Sequence, residues 1–490
     1  MPVCLNKNQL KYIVNYFRSI YAVPAEIQLG YGTEHLPVNV FASASNVFRN
    51  HKLLDEQTIV WTKWLDKKIP VLFPAASHLP LLETTGERIF IRHDLFAGAF
   101  YFLSGWQEYV YMQQHSAIRY PFTESLQHRL NIIRLPVVNY YFDMLKTAIE
   151  QAYSLKLAVQ PTAGRLYDIC LTHDIDEATT GWKADLAATL KKKQLGQSWH
   201  IFREKIRGND TCFNLYEIND LEANYSAKSS YYFIARSNTV FAKTVDEKGF
   251  ASDETSKKTY DPGYFFKPKR SGEYRQLLQN ADYDLRMTKI RQIFQLLRQA
   301  GSEIGIHGSF GSSISEPQFA EDFSRFDAPV SGGRFHYLCF DITKTFDILE
   351  NAGIQYDSTL GFAELPGFRN GCCFPFQPYN IREDRTYQLI EIPLIAMDAT
   401  YRSYMKLPLS DVLADIRQLR DTVRDFGGCL TVLWHNNYFT PYKFAGWREL
   451  YEDILQMGKS DGAELTTGAA IAKNWGQIIN FKQDSQIIET

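Results

Sequence analysis

One unit recurs from Leu166 onward and constrains the fold of this 490-residue chain more than any other feature: amphipathic helix, glycine stop, short apolar strand, polar strand end. Ile290, Ile293, Phe294 and Leu297 share a helical face, Gly301 stops that helix, and Glu303-Ile304-Gly305-Ile306-His307 reads as strand. Phe346 and Leu349 mark the next helix, Gly353 its stop, and 354–358 the next strand. Ser410 is the expected cap of a third helix with Leu413, Ile416 and Val423 inward; Gly427-Gly428 ends it, and 429–434 runs apolar into His435. Helices alternating with strands build parallel β/α units. Their number predicts an α/β fold, a distorted (β/α) barrel over 165–485, rather than a small open sheet.

A chain this long exceeds one ordinary core, so a second domain is expected. Residues 1–160 supply it, as a smaller α+β accessory domain with helical patterns at 9–18, 96–109 and 137–155 and apolar runs at 69–73 and 89–91. Gln160-Pro161-Thr162-Ala163-Gly164 reads as the linker. His93-Asp94 is taken as a cap or a satisfied core pair. Two inserts interrupt the barrel pattern: 183–219, polar and basic around Lys191-Lys192-Lys193 and expected as a solvated helical excursion, and 244–269, a charged loop expected at the rim. A formal net charge of −2 argues against nucleic acid as partner. No apolar run is long enough to span a bilayer, and the N-terminus lacks a charged-then-apolar leader, so a cytoplasmic location is expected. The seven cysteines follow no regular frame and fit reduced, structural thiols, Cys372-Cys373 included. The high aromatic content (29 Tyr, 33 Phe, 8 Trp) suits core filling more than a sugar-binding surface.

The strand ends carry the chemistry. Leu166-Tyr167-Asp168-Ile169-Cys170-Leu171 reads as a buried strand that opens into Thr172-His173-Asp174-Ile175-Asp176. Two acids two residues apart repel unless a cation compensates them, which suggests that one acid binds a cation and the other handles protons. The plainer alternative is a helix N-cap beside a surface carboxylate. His307, the Arg334–His336 stretch, Arg369 and His435 follow at later strand ends. A catalytic zinc site needs a few N and O ligands and one open position, and lowers the pKa of water to roughly 7. A neighbouring carboxylate then takes the proton, and an imidazole across the site protonates a leaving amine.

These motifs resemble the NodB-homology polysaccharide deacetylases (carbohydrate esterase family four), more closely a bacterial branch with an N-terminal domain and a Thr-His-Asp-Ile/Val-Asp opening. The resemblance covers 166 to about 473 and implies a metal-dependent, N-acetyl-removing hydrolase of glycans. It implies Asp174 as general base and Asp176 as metal ligand, although the residue between the two acids departs from the family's Thr-Phe-Asp-Asp-Gly. His307-Gly308-Ser309-Phe310-Gly311-Ser312 keeps the first histidine of the second motif, but Gly311 stands where the second should be. His336, in Gly332-Gly333-Arg334-Phe335-His336-Tyr337, is the candidate replacement, with a rim position as its alternative. Gly367-Phe368-Arg369-Asn370-Gly371 with Pro375-Phe376 resembles the third motif, implying that Arg369 orients the base and Pro375 lines the groove. Glu391-Ile392-Pro393-Leu394 with Asp398 resembles the fourth; Asp398 either orients His435 or caps the loop. Leu433-Trp434-His435 resembles the Leu-x-His motif, implying an acetyl pocket at Leu433 and a general acid at His435, with Trp434 and Tyr337 added as substrate contacts. A divalent metal, zinc by preference, and an N-acetylated saccharide are the implied cofactor and partner. The alternatives are a carbohydrate-binding relic that lost its metal through Gly311 and a hydrolase of another linear amide.

Overall fold

The structure, a computed structural model, describes residues 4–75, 79–160, 165–237, 239–243, 265–268, 274–480 and 488–489. The expected linker residues 161–164 and most of the 244–269 insert lie outside them.

The α/β expectation is met by a nine-stranded parallel sheet flanked by helices. Its strands, in chain order, are β1 Asp168–Ile175, β2 Ser230–Ile234, β3 Glu303–Gly308, β4 Gly332–Phe335, β5 Tyr356–Asp357, β6 Ile390–Glu391, β7 Ala396–Met397, β8 Cys429–Leu433 and β9 Glu464–Thr466. The spatial order is β6-β5-β4-β3-β2-β1-β8-β7, with β9 also pairing β1. The two edge strands β6 and β7 are consecutive in the chain. Residues 392–395 join them and bond to both sides: the N–H of Ile392 donates to Asp357 and that of Ile395 to Thr431. The sheet therefore curls into an incomplete barrel. β1, β2 and β8 are buried at every residue, which is why they read as continuous apolar runs rather than alternating ones.

The covering helices end as their glycines require. Gly301 and Gly427 adopt left-handed φ values of +80° and +76° and close Thr288–Ala300 and Leu409–Phe426. Ser410 does not cap the latter; Pro408 holds the cap position and Ser410 lies inside the first turn.

In the first half, a five-stranded sheet orders Ile488–Glu489, Leu29–Tyr31, Val38–Val40, Arg88–Ile91 and Leu82–Thr85, so Ile488–Glu489 pairs at the sheet edge with Leu29–Tyr31. The expected helix at 96–109 is two helices, Leu95–Leu103 and Trp106–Gln114, broken at Gly105 with φ +62°. Asp94 caps the first of them through the N–H of Ala97. One continuous apolar cluster runs through both halves, and polar bonds cross between them: Tyr12 to the carbonyl of Gln377, Arg134 to Asp415, Arg369 to Glu108. All seven cysteines are buried and free. Among the described residues, no helix is long and apolar enough to cross a membrane.

Candidate functional site

Parallel strands deliver their C-terminal ends to one side of the sheet, and the register sets the neighbours: Thr172 beside Leu433, His307 beside Arg334. Alternation along β1 turns Thr172, Asp174 and Asp176 to one face and His173 to the other. His173 is structural: one ring nitrogen lies 2.6 Å from the Trp434 carbonyl and the other 2.8 Å from Glu222, which also accepts from Tyr451.

On the cleft face, Asp176 Oδ1 lies 3.4 Å from His307 Nε2 and 3.7 Å from His336 Nε2, and one donor atom from each residue falls within 4.8 Å of the others. Ligands 2.0–2.1 Å from a tetrahedral ion stand roughly 3.3 Å apart, so the carboxylate-to-imidazole spacings fit a shared cation closely. His307 Nδ1–H donates to the Arg334 carbonyl at 2.9 Å, which orients the ring with Nε2 toward Asp176, and against the effect of burial Asp174 and Asp176 raise the His307 pKa. His336 stacks on Tyr337, ring centroids 3.8 Å apart. Asp176 Oδ1 is buried and accepts no hydrogen bond. An orphaned carboxylate oxygen between two imidazole nitrogens is what a divalent cation satisfies. The electrostatics agree. Burial opposes ionisation of Asp176, but His336, His307 and His435 hold it well below the usual carboxylate range. Burial lowers the pKa of His336, favouring the neutral, ligating imidazole.

His435 stands opposite, its Nε2 3.8 Å from Asp176 Oδ2. Asp398, fully buried, accepts from both the ring Nδ1–H at 2.7 Å and the backbone N–H of His435 at 2.6 Å, so it orients the ring. Burial alone would lower the His435 pKa; Asp398 foremost, then Asp176 and Asp174, push it up to about 10.

Three expected placements are corrected. Arg369 does not reach Asp174. Its Nε and Nη2 donate to Glu108 at 2.8 and 2.6 Å and its Nη1 to the Gly361 carbonyl, all buried. Arg334 occupies the place expected of it. Its Nη1 donates to Asp174 Oδ1 at 2.9 Å and Thr172 Oγ1 at 3.0 Å, and its remaining donors to Ser358. Trp434 is no cleft residue, because alternation along β8 sends it opposite to Leu433, where it is fully buried against Trp447 and Tyr451. Pro375 is buried between Phe374, which packs on Trp475, and Phe376, which packs on Tyr16, at the seam of the two halves.

Leu433 does face the cleft side, in a small apolar cluster with Leu338, Ala363, Leu394 and Met397. Tyr337 is half-buried beside His336 in a left-handed conformation, φ +60°. Arg119, from the first half, donates to its carbonyl at 3.1 Å and pairs with Glu364 at 3.4 Å. Under the arginines lie two buried carboxylates. Burial lifts Asp357 to about 6, and burial with Asp357 as neighbour raises Glu391 well above its usual range. Arg334 and the Glu108 partnership are the site elements that motif reading missed. The only signal for Arg334 was its position beside His336 at a strand end.

The family described as "Family of unknown function (DUF7033)" matches residues 5–154. No curated protein matches the chain. Among solved structures, the chain is similar to a putative polysaccharide deacetylase from Mycobacterium smegmatis, at 14% identity and a TM-score of 0.37, covering 63% of this chain and 90% of that one. It is also similar to a probable polysaccharide deacetylase from Pseudomonas aeruginosa PAO1, at 10% identity and TM-score 0.35, over 54% and 73% of the two chains. A third similar structure is Puue allantoinase, at 12% identity and TM-score 0.34, over 54% and 76%.

Proposed function

We propose that this chain is a metal-dependent hydrolase that removes N-acetyl groups from an amino-sugar-containing glycan or glycan precursor. The observation that carries this reading is the grouping around one carboxylate: His307 and His336 beside one oxygen of Asp176, and the His435 imidazole held by Asp398 beside the other. One carboxylate and two imidazoles suit zinc, and these three residues would hold it. When bound, such an ion polarises a carbonyl and makes water a usable nucleophile at neutral pH.

The chain's own residues do the rest. Asp174, paired with Arg334, accepts the proton of the attacking water. His435, protonated at neutral pH because Asp398 backs it, delivers a proton to the departing amine nitrogen. The wall of Leu433, Leu338, Ala363, Leu394 and Met397 receives the acetyl methyl, and the half-buried Tyr337 ring stands at the edge for the sugar.

The test is acetate release from N-acetylated oligosaccharides by zinc-supplemented protein, run against ureide-type amides. Asp174→Ala and His435→Ala are expected to lower acetate release at least ~100-fold with metal content unchanged, while His307→Ala lowers both. Turnover of ureides without acetate release would assign the same machinery to another linear amide. Protein that binds no divalent ion at any pH would be the carbohydrate-binding relic.

A further inference from the structure

The excursion between β1 and β2 is helical as expected, but it is not polar all round. In the helix Leu195–Ile206 only Ser198 and Ile201 are buried. Leu195, Trp199, Phe202 and Ile206 are 71%, 64%, 42% and 70% exposed. At about 100° per residue these four fall within roughly 60° of the helix circumference. Leu190, in the preceding helix Gly181–Lys191, is a fifth exposed apolar side chain, and Ser198 bonds to Thr189 of that helix. Single exposed apolar residues are ordinary, whereas a continuous stripe marks a contact surface.

The charges around the stripe are mostly basic. Lys191-Lys192-Lys193 lies between the helices; Arg203, 3.7 Å from Glu204, and Lys205, paired with Asp210 at 3.2 Å, flank the stripe on either side, and Arg207 follows the last turn. Glu204 falls on the opposite side of the helix and pairs with Arg207, and Asp185 is buried, accepting from Thr440 and Lys443. The basic rim stands out on a chain whose formal net charge is −2. A second copy of this chain docking stripe to stripe would bring the two rims together and repel. An anionic surface complements them.

We propose that this helix pair docks the protein on an anionic membrane surface. The Leu195–Ile206 helix lies in the plane of the headgroups, its apolar stripe directed to the acyl chains, with the exposed Lys191 and Lys193 on lipid phosphates. The helices follow directly from Asp176, and Lys192 Nζ donates to the Tyr442 carbonyl in the loop after His435. The docked face therefore lies at the same end of the sheet as the strand-end histidines. This inference does not depend on the hydrolase reading.

The test is co-sedimentation of the full chain with phosphatidylcholine vesicles, with and without phosphatidylglycerol. The expected result is partitioning onto the anionic vesicles at low salt, at least ~10-fold above neutral ones, with release at high salt. Lys191→Gln and Lys193→Gln are each expected to weaken it about 5-fold. Trp199→Glu with Phe202→Glu abolishes it without changing the circular dichroism spectrum, since neither side chain is buried. Trp61→Glu, at an exposed tryptophan of the first half, leaves it unchanged. Three outcomes overturn the proposal: no partitioning onto anionic vesicles at low salt, partitioning that survives Trp199→Glu/Phe202→Glu, or a concentration-dependent dimer that the same pair of substitutions dissociates.

Discussion

Replacing Glu108 by Gln tests how tightly the first half is tied to the barrel. Glu108 and Arg369 face each other as a two-pronged pair at 2.8 and 2.6 Å, with side chains 3% and 1% exposed. Burial opposes the guanidinium charge, but Glu108 more than restores it, so Arg369 stays ionised. Gln keeps the shape and one acceptor oxygen but removes the counter-charge, leaving the buried cation with the Gly361 carbonyl, the Phe362 ring and the influence of Glu391. Breaking one side of a buried pair costs about 3–5 kcal/mol, a large share of the ~5–15 kcal/mol that holds a typical protein folded. The assay is equilibrium urea unfolding followed by tryptophan fluorescence, with the midpoint of the first transition as readout. The double variant Glu108→Leu/Arg369→Met removes both charges, and most of the loss is expected to return. A loss below ~1 kcal/mol in Glu108→Gln, the range of exposed pairs, would refute the reasoning.

Further predictions concern the cleft. Asp398→Asn removes the main charge that lifts His435 from 6.5 to about 10. The imidazole then loses its proton at lower pH, so the alkaline limb of the rate profile moves toward neutrality; a limb that stays put would exclude His435 as the acid. Arg334→Lys replaces a planar fork with a point charge and is expected to lower turnover ~100-fold at unchanged zinc content. Arg369→Lys is expected to act on unfolding midpoints far more than on turnover, and the two variants measured side by side separate the two arginines. Arg119→Ala frees the Tyr337 carbonyl and is expected to raise KM more than it lowers kcat in a steady-state assay.

The fold was legible because its signals are local. A glycine that must adopt positive φ at a helix end and an apolar run of strand length each declare themselves within about a dozen residues, so the units at Gly301 and Gly427 were readable. The polar strand ends were readable for the same reason. Pairings across the chain were not. Nothing near Arg369 announces Glu108, 261 positions away, and a motif match assigned the arginine a carboxylate that Arg334 holds instead. Trp434 was legible in principle, because alternation along β8 sends it opposite to Leu433 and into the core. The exposed stripe at Leu195–Ile206 was also present as 3.6-residue spacing, obscured by the neighbouring lysine run.

Whether Asp176, His307 and His336 share one ion is tested by the divalent-metal content of purified protein equilibrated with zinc, by elemental analysis, for the unaltered chain, Asp176→Asn, His307→Ala and His336→Ala. One ion per unaltered chain is expected and, in each variant, an affinity loss exceeding the ~10–100-fold that follows when only an outer partner of a ligand is removed. Zinc bound with undiminished affinity after His336→Ala would contradict the shared site.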